Sequence, residues 1–215
     1  MDDDLVQLLD TGMAQLSLTL PDHGLEEQSL NKQLLSLVYL LAKWNKSYNL
    51  TAIREPREMV IRHLLDSLSI APYLVGERLL DVGSGPGLPG LPLAMLFPEK
   101  HFTLLDSNGK KTRFITQAVS ELGLKNVDVV QSRVEDYKTD KPFSTIMARA
   151  FSSLDEIIKT THHLLAGDGR LLLMKGVYPE EELNALPEDF ELLEALELKV
   201  PMLDAKRHLM IINRK

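Results

Sequence analysis

The sequence predicts an α/β fold, a mostly parallel sheet covered by helices on both faces and preceded by a helical region. Three observations carry this. From Arg78 onward, short apolar runs alternate with segments of helical period. The first run opens directly into a glycine-rich turn, Asp81-Val-Gly-Ser-Gly-Pro-Gly-Leu-Pro-Gly90. Before that point, the leucines of the first 75 residues recur at helical spacing.

In the helical region, Leu5, Leu8, Leu9, Met13 and Leu16 share one face, and Pro21-Asp22 begins a break. A second helix is expected over 26–44, with Leu30, Leu34, Leu37, Val38 and Leu41 on one side. The polar stretch from Asn45 to Thr51 interrupts it, and Pro56 starts another helix running to about Pro72. Neither an internal repeat nor a low-complexity linker occurs. Residues 1–75 are therefore read as a helical cap packed on a main domain of residues 76–215.

In that main domain, strands are expected at 78–82, 101–105, 127–131, 144–148 and 170–175, with helices at 90–97, 110–122 and 153–165. Asp128 is read as a surface or edge polar residue of the third strand. After Gly176 a short acidic helix precedes two further strands near 190–199 and 207–213. The short gap between them, holding Pro201 and Asp204, suits an antiparallel pair.

The 215 residues are enough for a full core, and 44% hydrophobic with 26% charged residues is ordinary for a soluble protein. Three aspartates follow the first methionine, with no basic then apolar stretch after them, so secretion is not expected. No run reaches the roughly 18 apolar residues of a membrane span. The absence of cysteine excludes disulfides, thiolate metal sites and cysteine nucleophiles, and fits the cytoplasm. The six histidines form no HExxH pattern, and the adjacent His162 and His163 point ~100° apart on a helix, so no metal is expected.

A net charge of -7 looks unsuited to a nucleic-acid partner, but the acid is concentrated. Segments 1–27 and 180–197 hold 15 of the 31 carboxylates and no lysine or arginine, and the remainder has a net charge of +8. A local basic face is therefore compatible with RNA, because local potential governs docking. A mixed solvated surface is the competing reading.

A strand opening into a glycine turn allows a ligand to approach the backbone closely. Gly85-Pro-Gly-Leu-Pro-Gly90 satisfies GxGxxG, which is shared with dinucleotide enzymes. The longer Asp81-x-Gly83-x-Gly85-x-Gly87 is similar to the first motif of S-adenosylmethionine-dependent methyltransferases. With the late antiparallel pair, it points to their seven-stranded Rossmann-like fold. A non-catalytic domain with a tight turn remains a third reading.

On this view Gly83 and Gly85 admit the methionine and ribose parts of the ligand. Asp81 would hold its amino group, and Asp106, ending the second strand, its ribose hydroxyls. Alternatively Asp81 bonds turn amides and Asp106 caps a helix. Val134 and Glu135 are candidates to bracket and contact the adenine, with Asp136 the alternative to Glu135. Arg149 emerges beside the crevice, where its donor fork could hold an acceptor or fix a carboxylate, a surface ion pair being the plainer reading. Phe151 faces either substrate or core, and Lys175-Gly176 closes the fifth strand on the same side.

Methyl transfer from a sulfonium is an in-line displacement that needs proximity more than a metal or covalent intermediate. A neutral ring nitrogen such as guanine N7 needs no general base. The missing cysteine excludes the adduct route to pyrimidine C5, and no Asn/Asp-Pro-Pro-aromatic run marks an amino-group acceptor. Small molecules and proteins stay open as acceptors. Basic candidates for an RNA face are Arg62, His63, Lys110, Lys111, Arg113, Arg133, Lys175, Lys206 and Arg207, beside Arg149. Trp44 and Tyr48, at helical spacing, are read as packing residues in preference to base-stacking ones.

Several stretches are shared, in order, with one family: Lys43-Trp-Asn-Lys-Ser-Tyr-Asn-Leu-Thr51, Arg62-His-Leu-Leu-Asp-Ser67, the Asp81–Gly90 turn, Leu105-Asp-Ser107, Ser132-Arg-Val-Glu135, Arg149-Ala-Phe151, Lys175-Gly176 and Arg207-His208. Through these the chain closely resembles the ribosomal RNA small subunit methyltransferase G family, also called glucose-inhibited division protein B. The resemblance implies a bacterial cytoplasmic enzyme that methylates N7 of guanine 527 of 16S ribosomal RNA, in standard rRNA numbering, using S-adenosyl-L-methionine. It implies cofactor contacts at Gly83, Leu88, Val134, Glu135 and Arg149, with Arg149 as the catalytic candidate. The family often has phenylalanine where Leu88 stands, so apolar contact is kept but stacking is not. The expected partner is 16S rRNA or the small subunit, met by a monomer away from membranes. A small-molecule methyltransferase with residues 1–75 as a lid is the alternative, and a binding protein without turnover a further one.

Overall fold

The computed structural model of the chain describes residues 2–18, 27–149 and 153–215. Seven strands form one sheet: β1 Arg78–Val82, β2 His101–Asp106, β3 Val127–Gln131, β4 Phe143–Arg149, β5 Leu165–Lys175, β6 Phe190–Glu197 and β7 His208–Arg214. Their order is β3-β2-β1-β4-β5-β7-β6. Only β7 runs antiparallel to its neighbours, β5 and β6. This is the seven-stranded Rossmann-like arrangement that the late antiparallel pair and the resemblance of the glycine motif implied. The connections diverge from the β1–β4 pair, so a crevice opens beyond the carboxyl ends of those strands.

Residue alternation sends the strand side chains to two apolar layers. Leu79, Leu104, Met147 and Leu172 face one layer with the N-terminal helices, α5 (Gly90–Leu96) and α6 (Gly109–Glu121). Leu80, Leu105, Ile146 and Leu171 face the other, with α7 (Leu154–Thr161). A short acidic α8, Glu180–Asn184, follows β5.

The N-terminal helices are α1 (Asp3–Leu16), α2 (Glu27–Tyr48), α3 (Pro56–Met59) and α4 (Asp66–Leu68), with a π-helical segment, Val60–Leu65, joining the last two. The Asp2 carboxylate caps α1 by accepting from Asp4 N at 3.1 Å. Leu5, Leu8, Leu9 and Met13 are buried, as their spacing predicts. Gly12 lets α1 lie against the π-helical segment, since a Cβ there would sit 2.4 Å from Leu65 Cδ1.

Boundaries differ from expectation in two places. The second helix continues past Trp44 to Tyr48 and stops at Asn49, whose φ of +49° takes the left-handed geometry that ends helices. Asn45 does not break it, because its side chain turns inward and bonds the following loop. The helix expected over 153–165 ends at Thr161, and β5 starts at Leu165, five residues before the expected strand. A bulge accommodates this, with Phe143 opposite Leu165 but Thr145 opposite Arg170. The break at Pro21-Asp22 lies outside the described residues.

Candidate active site

The glycine turn is built from β1 and β2 together. Gly83 N and Ser84 N donate to Leu105 O at 2.8 and 3.1 Å, and Gly87 N and Leu88 N both donate to Ser84 O at 2.8 Å. Gly83, Gly85 and Gly87 have φ values of +65°, +58° and +82°, which L side chains rarely adopt. A Cβ on Gly85 would meet nothing nearer than Gly83 O at 4.0 Å, so the space above this turn is open. Leu88 is buried.

Two carboxylates hold the turn from below. Asp106 accepts from Gly85 N and from Asn108 N, each at 2.8 Å, and Lys111 Nζ stands 3.7 Å away. The cap of α6 is Asn108, which accepts from Lys110 N, leaving Asp106 to the turn. Asp81 Oδ2 accepts from Gly90 N at 2.8 Å, while its Oδ1 is buried without a partner. Burial pushes the Asp81 carboxyl up to about 7, against the lowering influence of the Gly90 hydrogen bond and Arg149. Gly90 has no room for a side chain, since a Cβ would lie 2.8 Å from Asp81 Oδ2.

Beyond the ends of β1, β2 and β3 lies a cleft of about 350 Å³ lined by Val82, Gly83, Leu105, Asp106, Val134 and Glu135 among others. Val134 is buried in its wall, and Glu135 and Arg133 are exposed at its edge. An orphaned buried carboxylate oxygen, an open glycine cradle and a largely polar cleft with Val82, Leu105 and Val134 in its wall fit a ligand with a cationic amino group, a ribose and a flat base.

A second cavity, of about 390 Å³, opens past β4 and β5. Arg62, His63, Arg149, Lys175 and Arg207, five of the basic candidates, line it around Asp66. Val82 pairs with Ala148, so Arg149 leaves β4 beside the glycine turn, between the two cavities. Asp66 is almost wholly buried. Its Oδ2 accepts from Arg149 Nη1 at 3.1 Å and its Oδ1 from Arg207 Nε at 2.9 Å. Arg149 Nη1 also donates to Arg62 O, an oxygen of the π-helical segment, at 3.1 Å. Lys175 pairs with Glu182 at 2.9 Å, and Glu182 Oε2 accepts from Leu154 N at 2.6 Å. Burial, with the charge of Arg149, lowers His63 to about 4, and its Nε2 lies 3.0 Å from Thr51 Oγ1.

The remaining basic candidates do not join this group. Lys110 and Arg113 are exposed on α6, Lys111 sits by Asp106, and Lys206 is exposed before β7. Trp44 stacks on Tyr48 at 5.1 Å and meets Phe114 edge-on at 5.8 Å, packed against the core. Asp128 is exposed on the edge strand and pairs with His101 at 2.9 Å. Phe151 lies outside the described residues. Sequence reasoning did not single out Asp66, although it stands in the Arg62–Ser67 stretch, nor the Asn45–Thr51 loop contacts. Among the described residues, no group of histidine and acidic side chains could hold a metal ion and no helix is long and apolar enough to cross a membrane.

Comparisons with known proteins bear on the family and the fold. Residues 30–210 match the family model GidB, described as rRNA small subunit methyltransferase G. The chain is 50% identical over 200 residues to "Ribosomal RNA small subunit methyltransferase G" of Shigella flexneri, covering 93% of this chain and 97% of that one. Among solved structures it resembles the glycopeptide N-methyltransferase MtfA, with a TM-score of 0.63 at 12% identity over 75% of this chain and all of the other. It also resembles a SAM-dependent methyltransferase from Thiobacillus denitrificans solved with S-adenosyl-L-homocysteine, with a TM-score of 0.52 at 13% identity, covering 70% and 90%. At such identities these two show the fold alone.

Proposed function

Because the chain belongs to the rRNA small subunit methyltransferase G (GidB) family, we propose that it methylates N7 of guanine 527 of 16S ribosomal RNA. On this reading it acts in the cytoplasm, as a monomer, on the RNA or on a small-subunit particle, and releases S-adenosyl-L-homocysteine. The observation that carries the reading is the second cavity. A cavity lined by Arg62, Arg149, Lys175 and Arg207 stands beside the cofactor cleft, with Arg149 at the border between them.

The cofactor of this methyltransferase is S-adenosyl-L-methionine, which supplies an electrophilic methyl group on a positively charged sulfur. Asp81 would hold the amino group with its unpartnered oxygen, and Gly83 and Gly85 would admit the chain that carries the sulfur. Asp106 would take the ribose hydroxyls with lone pairs left over from Gly85 and Asn108. Val134 and Leu88 would give apolar contact, and Glu135 a polar contact to the base.

Guanine N7 keeps a free lone pair at neutral pH, so no group has to remove a proton before attack. The protein must leave N7 unobstructed while fixing the ring. Arg149, already oriented by Asp66 and Arg62 O, can donate to guanine O6 with a free edge of its fork. His63, neutral at working pH, adds no charge beside the approaching base.

The test is methyl incorporation from labelled cofactor into naked 16S RNA and into assembled small subunits. Incorporation that disappears when the target guanine is replaced is the expected result. Equal labelling of unrelated RNA would defeat the site assignment, and labelling of a free nucleotide alone would favour a small-molecule enzyme.

A further inference from the structure

The cations around Asp66 are largely neutralised where they stand. Arg149 and Arg207 share Asp66, Arg62 pairs with Glu58 at 2.6 Å, and Lys175 pairs with Glu182. They can orient a base, but they offer little net charge to a polyanion. Affinity for RNA, and its salt dependence, comes from cations whose counterions are released on binding. These must be found elsewhere.

A third cavity, of about 530 Å³, lies on the helical region between the end of α2 and the start of α3. Lys43, Lys46 and Arg54 line it with Glu55 and Tyr39. All three cations are exposed, and among the described residues none is in an ion pair. Arg54 Nη2 donates only to the Asn49 side chain, at 3.2 Å. Glu55 leaves the groove with a net charge of +2.

This groove is joined to the Asp66 cavity through the backbone. Ile53 lines one and Arg54 the other. A chain of hydrogen bonds fixes the joint: Asn45 Nδ2 donates to Ile53 O at 3.0 Å, and Asn45 Oδ1 accepts from Thr51 N at 2.9 Å. Thr51 Oγ1 accepts from Ile53 N at 3.2 Å and contacts His63 Nε2 at 3.0 Å. The Lys43–Thr51 stretch thus places its lysines at a set position relative to the π-helical segment that carries Arg62 and His63.

We infer that the groove of Lys43, Lys46 and Arg54 binds the phosphates of a single-stranded RNA segment flanking the base held beside Arg149. The inference rests on the proposed function and adds the path of the RNA. It runs over the end of α2, rather than over the α6 rim of Lys110 and Arg113. A single strand is required because the N7 edge of a guanine inside an A-form helix lies in a groove too deep and narrow to reach.

The experiment measures binding of a 16S RNA fragment across a salt series, with methyl transfer in parallel. The proteins compared are the unaltered one, a Lys43→Gln/Lys46→Gln/Arg54→Gln variant, and a Lys110→Gln/Arg113→Gln variant. For the first variant, the slope of log affinity against log salt should fall by about 2, three phosphates at ~0.7 each for a single strand. Its turnover at saturating RNA and its affinity for S-adenosylhomocysteine should match the unaltered protein, which shows that the fold and the cofactor cleft are intact. A normal slope in that variant, with the loss appearing in the α6 variant, overturns the groove. Lack of methyl transfer by the unaltered protein overturns the functional reading beneath it, and the groove with it.

Discussion

Asp66 and Arg207 stand 141 positions apart in sequence, yet Asp66 Oδ1 accepts from Arg207 Nε at 2.9 Å while its other oxygen holds Arg149. One buried carboxylate therefore fixes two guanidinium groups, one at the end of β4 and one in the loop that leads into β7. Replacing it with alanine leaves both arginines without their anion. Asp66→Ala should lose about 3 kcal/mol of stability in denaturant unfolding, the lower end for a broken buried pair, because the arginines can reach water. Asp66→Asn, which keeps shape but not charge, should retain more stability. Its turnover should still fall, because neither guanidinium is then held firmly.

Arg149→Ala leaves Asp66 paired with Arg207, so the fold should persist within about 1 kcal/mol of the unaltered protein. Methyl transfer should drop by about 100-fold, the scale for removing one oriented donor from a reacting centre. Arg149→Lys should recover little, since an ammonium lacks the flat, rigid fork that directs donors to Asp66, Arg62 O and a substrate in fixed directions. Unchanged turnover of Arg149→Ala at saturating cofactor and RNA would remove the residue from the mechanism.

His63 gives the fold a pH dependence of known sign. Its folded value is lowered to about 4, below the ordinary 6.5, so the unfolded chain binds the extra proton between those values. Stability should be complete above pH 6.5 and decline as pH falls towards 4, by roughly 3 kcal/mol at most. In His63→Gln that share of the decline should vanish, as read from unfolding midpoints at pH 7.5, 6, 5 and 4.

Asp81 runs the other way. Its folded value is raised to about 7, so the folded protein holds the proton that the unfolded chain releases above 3.8. Its contribution to stability falls as pH rises from about 4 to 7. The ligand-free Asp81→Asn protein should therefore melt higher at pH 8 than the unaltered one. If Asp81 receives the amino group of the cofactor, it must ionise on binding. Calorimetry with S-adenosylhomocysteine in two buffers of different ionisation enthalpy should show nearly one proton released at pH 6 and few at pH 8. Equal release by Asp81→Asn would assign that proton elsewhere.

The strands, the antiparallel last pair and the glycine turn were legible because each rests on local pattern: apolar runs, short gaps and residues that tolerate positive φ. Asp81 and Asp106 were legible as strand-end carboxylates for the same reason. The role of Asp66 was not, since its two partners lie 83 and 141 residues away and meet it only through the order β4-β5-β7. The π-helical turn has no propensity of its own to read, because the leucines around it suit an ordinary helix equally well. Asn45 looked like a helix breaker by type, whereas its partners Thr51 and Ile53 make it a brace. Basic residues were visible only as positive charge, and which of them keep that charge unspent depends on carboxylates brought near by the fold.

The apolar layer that joins α1 and α2 to the sheet also decides how the molecule moves. It is continuous from Leu5 through Leu34 and Leu65 to Leu104 and Leu209. Swinging the first 75 residues outward would wet a dozen or more large side chains at ~1.5–3 kcal/mol each, more than the whole stability of an ordinary domain. The cofactor cleft and the cavity around Asp66 therefore stand formed in the resting protein, and ligands reach them without the N-terminal helices swinging away.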